Sequence, residues 1–268
     1  MTATHTVDVD GARLHYEVRG SGPLVLVMGS PMDAGAFAPV AEALARWYTV
    51  VTHDPRGISH STIDDPAQES TPELRADDVA AILDALNAPS ADVFGSSGGA
   101  LTGLALATHH PDRVRTLIAH EPPTVLLLPD PAEQRARVEE IIATFHQEGQ
   151  GAAWMKFMIN AGYGAELDEH APQGEPSEQD IRNGERFFAH ELRASALYQP
   201  DVATLRSGSA RVVIGVGAES RHLITYRTSL ALAALLQTQP MDFPGDHGGF
   251  IGEPDKFAAV MHDMLAGE

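Results

Sequence analysis

Two side chains have types and settings that could do nucleophilic chemistry together. Ser97 sits in the run Gly95-Ser96-Ser97-Gly98-Gly99, which reads Gly-x-Ser-x-Gly. The run follows a predicted strand at 91–94 and opens a predicted helix over 99–109. A sharp strand-to-helix bend would hold this serine in a strained backbone conformation, and the flanking glycines leave room for it. The helix N-terminus brings unpaired N–H groups and the positive end of its dipole close to the reacting oxygen. The plainer alternative is a small-residue turn. The strand before it and the helix after it favour a nucleophile.

A serine needs a base. The chain has 13 histidines, but a base must arrive on a loop able to reach the strand ends. His247 follows the apolar stretch 241–243 and lies among Gly245, Gly248 and Gly249. An imidazole is the side chain suited to general-base work at neutral pH. His53, at a strand end, reads as structural. His120 could line a pocket. No spacing suggests a metal cage, so neither a metal nor a cofactor is expected. With no cysteine, disulfides and thiolate nucleophiles are excluded.

The elements around these residues alternate. A hairpin with an Asp10-Gly11 turn is predicted over 6–19, then strands at 23–29, 48–52, 91–95 and 114–119. Helices at 34–46, 73–87 and 99–109 fall between them. The short, continuously apolar strands suit burial on both faces, hence a mostly parallel sheet with helices on both sides. From 122 to 209 no strand is predicted, only helical stretches near 132–148, 151–162 and 178–198. Alternation returns with strands at 210–217 and 240–243 and helices at 225–237 and 256–265. The expected organisation is therefore an α/β core of residues 1–121 and 210–268. Residues 122–209 form a helical lid, or cap, over the C-terminal edge of the sheet, where such sheets place their sites.

At this point the sequence resembles the α/β-hydrolase superfamily, over nearly its whole length and least in the lid. Met28-Gly29-Ser30-Pro31 resembles the His-Gly-x-Pro segment after that family's third strand, with Met28 in place of His. Asp54-Pro55-Arg56-Gly57, with Ser59 and Ser61, resembles its Asp-x-Arg-Gly-x-Gly-x-Ser stretch. Gly245-Asp246-His247-Gly248-Gly249-Phe250 resembles its histidine loop. The resemblance implies an oxyanion hole made by the backbone N–H groups of Ser30 and Gly98. Backbone donors are indifferent to the Met28 change.

The resemblance also frames the third member, an acid to orient His247. Most members carry it as Asp after the seventh strand, but here that stretch reads Gly217-Ala218-Glu219-Ser220. Some members, among them haloalkane dehalogenases and lactonases of a macrocyclic mycoestrogen, carry Glu at the end of the sixth strand instead. Here that place holds Glu121. A charge set between an apolar strand and Pro122-Pro123 needs a partner, so Glu121 is preferred, with Glu219 the alternative. Asp246, beside the base, reads as a loop-shaping residue.

A Ser nucleophile argues against dehalogenation and epoxide opening, for which relatives use Asp. The expected activity is hydrolysis of a carboxylic ester or lactone of a small, largely apolar molecule through an acyl-enzyme. Carbon–carbon bond hydrolysis, perhydrolysis and a non-catalytic small-ligand receptor stay open. Met32, His120, Trp154, Met158 and Phe188 are candidate pocket residues.

Length and composition bound the rest. The chain's 268 residues are 43% hydrophobic and 21% charged, which suits one large domain with its insertion. The formal net charge of −19 repels nucleic acid and anionic membranes, leaving a small-molecule substrate as the expected partner. A homodimer is one oligomeric state left open. Residues 1–10 lack a basic region followed by an apolar run, so no signal peptide is expected and a cytoplasmic location is.

Overall fold

The computed structural model describes residues 2–164 and 176–267. Its strands are β1 (Thr2–Val9), β2 (Ala12–Gly20), β3 (Leu24–Met28), β4 (Thr49–His53), β5 (Thr62–Ile63), β6 (Ala91–Ser96), β7 (Val114–His120), β8 (Arg211–Gly217) and β9 (Met241–Phe243). They form one sheet in the order β1-β2-β4-β3-β6-β7-β8-β9, with β5 paired to β2. The β1–β2 and β2–β4 pairings are antiparallel, and every pairing from β4 through β3 to β9 is parallel. Apart from the two-residue β5, missed in the sequence, β7 is the sixth strand along the chain.

The strands that read as continuously apolar are the central ones, covered on both faces. Alternate side chains of β3 serve two cores. Val25 and Val27 pack with Phe37, Val40, Phe94 and Phe257 on one face. Leu26 and Met28 pack with Val79, Leu83, Leu101 and Leu104 on the other. This division follows the two-residue period of a strand.

Three differences from the sequence reading have local causes. The helix expected from 34 begins as a 3-10 turn, Ala34–Phe37, and becomes α-helical at Ala38–Leu44 with a proline in its first turn. The single helix expected over 178–198 is two, Glu178–His190 and Leu192–Leu197. They are broken at Glu191, whose φ of −125° leaves the helix and turns its carboxylate inward to the Ser30 hydroxyl. A further short helix, Val202–Ser207, was not anticipated.

Between β7 and β8 the described residues hold no strand. They form those three helices together with Pro131–Glu148 and Gln150–Ala161. This insertion has its own apolar cluster, including Val138, Ile141, Phe187, Phe188 and Leu192. The stretch 165–175 lies outside the described residues. Among the described residues no helix is long and apolar enough to cross a membrane.

Candidate active site

Ser97 stands alone between β6 and the helix Gly98–His109, with φ +56° and ψ −121°. This is a backbone conformation that side-chain-bearing residues seldom adopt. The neighbouring glycines make it possible. A Cβ on Gly95 would stand 2.3 Å from the Gly99 carbonyl oxygen, and one on Gly99 would stand 2.4 Å from that of Met28. Strand, bend and helix therefore pack backbone to backbone. The Ser97 N–H donates to the His120 carbonyl at 3.0 Å, tying the bend to β7.

Ser30 and Gly98 are neighbours, as a shared anion site requires. A Cβ on Gly98 would stand 2.6 Å from the Ser30 carbonyl oxygen. The loop carrying Ser30 is held from below by Asp54, whose carboxylate accepts the Ala34 N–H and the His60 N–H, both at 2.9 Å.

Glu121 is fully buried and adopts φ +48° at the end of β7. Its Oε1 accepts the Gly217 N–H at 2.8 Å, and its Oε2 accepts the Thr225 hydroxyl at 2.6 Å. That same Oε2 lies 2.6 Å from His247 Nδ1. Burial alone would favour the neutral acid. The hydrogen bond and charge of His247, the nearby His120 ring and the Ser220 hydroxyl outweigh it and hold the carboxyl down at about 2. An ionised Glu121 can only accept, so the proton of a neutral His247 sits on Nδ1 and Nε2 keeps its lone pair. Glu219, the alternative acid, is exposed at the end of β8 and meets the histidine loop through its backbone N–H, which donates to the Gly245 carbonyl at 3.0 Å.

A cavity of about 280 Å³ opens above these groups. Ser97, His247, Ser30 and Gly98 all line it, and so do the expected Met32, Trp154 and Met158. Two expected pocket residues do not. Phe188 turns into the insertion's own core, stacked with Phe145, while its helical neighbour Phe187 faces the cavity. One residue is 100° of helix turn, enough to exchange wall for core. His120 lies beneath, wholly buried among Phe94, Phe243, Phe250 and Phe257, with its ring 6.1 Å from that of His247. Burial pushes its pKa down to about 4, so its ring is neutral at physiological pH.

Among the described residues one group has ligand atoms close enough to hold a metal ion: His15, Asp54 and His60, all within 4.8 Å of one another. Asp54 already spends its oxygens on the Ala34 and His60 N–H groups and on His60 Nδ1 at 2.9 Å. None of the three lines the cavity.

The sequence reading missed Glu191 in the cavity wall. The one local hint was its place in the helix expected over 178–198, where the i,i+4 spacing pairs it with Phe187; the break at Glu191 removes that helical relation.

A serine at a strained strand-to-helix bend and a histidine–glutamate pair beyond the sheet's C-terminal edge define this as an α/β hydrolase. The family model for the alpha/beta hydrolase fold matches residues 22–161, and the chain belongs to that family. It is 34% identical over 268 residues to the uncharacterized hydrolase YraK of Bacillus subtilis, covering 98% of this chain and 96% of that one. Two solved structures share the fold along essentially their full length. A thermophilic esterase from Thermogutta terrifontis superposes with TM-score 0.76 at 21% identity, covering 100% of this chain and 98% of that one. The enol-lactonase from Burkholderia xenovorans LB400 superposes with TM-score 0.74 at 22% identity, covering 98% and 100%.

Proposed function

We propose that this hydrolase is a serine esterase or lactonase that cleaves a small, largely apolar carboxylic ester through an acyl-enzyme. The observation that carries the reading is the buried, ionised Glu121 at His247 Nδ1, behind a cavity that Ser97 and His247 share. Its walls are mostly aliphatic and aromatic, with Val125, Ile141, Trp154, Phe157 and Phe187 among them, which suits an apolar acyl or alcohol part. The esterase and the enol-lactonase named above use this fold on such bonds.

In the first half-reaction the Ser97 oxygen attacks the carbonyl carbon while His247 Nε2 takes its proton. The carbonyl oxygen gains the negative charge and is met by the backbone N–H groups of Ser30 and Gly98. Glu121 keeps His247 in the productive tautomer and stabilises the imidazolium. The carbonyl re-forms as the bond to the leaving oxygen breaks, and His247 returns its proton to that oxygen. In the second half a water gives a proton to His247 and attacks the acyl carbon; as the bond to the Ser97 oxygen breaks, His247 returns that proton to it and the acid departs. The helical insertion acts as the lid that keeps bulk water from the acyl intermediate.

The test is a panel of esters and lactones of graded acyl size, with Ser97→Ala as the blank. A fluorophosphonate should add one adduct mass to the native chain and none to the variant. Undiminished turnover in Ser97→Ala would overturn the reading.

A further inference from the structure

Glu191 is the one carboxylate among the described residues that line the cavity, and it is 1% exposed. Its two oxygens are treated differently. Oε1 accepts the hydroxyl proton of Ser30 and lies 3.5 Å from Arg75 Nη1. Oε2 is buried and has no hydrogen-bond partner among the described residues. No Arg75 donor meets it in hydrogen-bond geometry, and the bonds Arg75 does make go to other groups. Nε donates to the Thr102 hydroxyl at 3.0 Å, Nη1 to the Ser70 carbonyl at 2.7 Å, and Nη2 to the Ser195 hydroxyl at 3.1 Å. The guanidinium balances the charge of Glu191 and leaves one lone-pair site open. A buried carboxylate oxygen without a donor is costly, and native proteins seldom leave one so.

We propose that Glu191 determines substrate specificity: Oε1 fixes Ser30, and Oε2 receives a neutral O–H or N–H donor carried by the substrate. This rests on the esterase reading above and narrows its substrate. Ser30 joins the two sites, since its backbone N–H serves the carbonyl oxygen while its hydroxyl holds Glu191. The donor the carboxylate meets is therefore only a few bonds from the scissile carbonyl. The class that fits is an ester or lactone whose acyl chain carries a hydroxyl or acylamino group close to the carbonyl, with an apolar remainder for the aromatic wall. Arg75 makes a neutral donor the better match, because an ammonium group would meet its positive charge. A site built to accept such a donor also discriminates against the analogue lacking it, since the buried acceptor then stays unpaired.

The experiment compares p-nitrophenyl 3-hydroxyhexanoate with its 3-methoxy analogue, which loses the donor and adds one methyl group, so the ratio is read against that of the variants below. The native enzyme should favour the hydroxy ester by roughly tenfold or more in kcat/KM. Glu191→Gln, which keeps an acceptor without the charge, should retain a reduced preference. Arg75→Met/Glu191→Leu, which removes the buried pair together so that neither charge is stranded, should bring the two esters within about twofold of each other. A role confined to holding Ser30 would lower both rates and leave their ratio intact, and that result would overturn the proposal. So would equal turnover of the two esters by the native enzyme, with the esterase reading untouched. Hydrolysis of neither ester, nor of any in the graded panel, would remove the esterase reading and this one with it.

Discussion

Oε2 of Glu121 lies 2.6 Å from His247 Nδ1, across 126 residues of chain. The carboxylate is wholly buried and also takes the Gly217 N–H and the Thr225 hydroxyl. Glu121→Gln keeps the size and loses the charge, and its amide can stabilise the wrong tautomer of the ring. Turnover of an activated ester should fall by about a hundredfold or more. Glu219→Gln, at an exposed position, should leave it within about twofold. Steady-state kcat of the two variants, measured side by side, decides between the carboxylates.

The buried histidines predict how stability responds to acid. Desolvation lowers His120 and His53 from 6.5 to about 4. Below pH 6.5 the unfolded chain takes up protons that the folded chain refuses. Their stabilising contribution is complete above that pH and is lost as pH falls through about 4. Each can contribute a slope of up to about 1.4 kcal/mol per pH unit. Glu121, lowered from 4.5 to about 2, adds stability above 4.5 that fades as pH falls toward 2. The melting temperature should therefore drop between about pH 6.5 and pH 4, and less steeply in His120→Gln. An unchanged slope in that variant would show that His120 takes no part.

The bend at Ser97 makes a packing prediction. In Gly99→Ala the new methyl would stand 2.4 Å from the Met28 carbonyl oxygen and 2.7 Å from Gly29 Cα. Both are backbone atoms and cannot step aside cheaply. Urea unfolding should show a loss on the order of 3 kcal/mol. Gly151→Ala is the control. In the helix Gln150–Ala161 its methyl meets nothing within 4 Å, so it should gain roughly 0.5–1 kcal/mol.

Local chemistry made much of this legible in the sequence. The Gly-x-Ser-x-Gly run needed its strand and helix, and both were readable because the buried strands are short apolar runs bounded by turn residues. Glu121 was readable as a charge with no business beside an apolar strand. The inner surface of the helical insertion was not. Phe187 and Phe188 differ by a helical rotation that aromatic content alone cannot fix, and His120 looked like a wall residue until aromatic rings from four other places closed around it. Glu191 was hidden for a related reason. Its partners Ser30 and Arg75 are distant in sequence, and the helix break that turns it inward has no proline or glycine to announce it.

The order in which the Glu121 contacts occur along the chain bears on how the enzyme comes into being. Gly217, Thr225 and His247 all follow the helical insertion, whereas Ser97 and Glu121 precede it. A polypeptide leaving the ribosome carries Ser97 well before His247, and for that interval Glu121 has none of these three donors to offset its desolvation. Docking of the last fifth or so of the molecule offsets that cost and brings His247 to the cavity wall where Ser97 already stands.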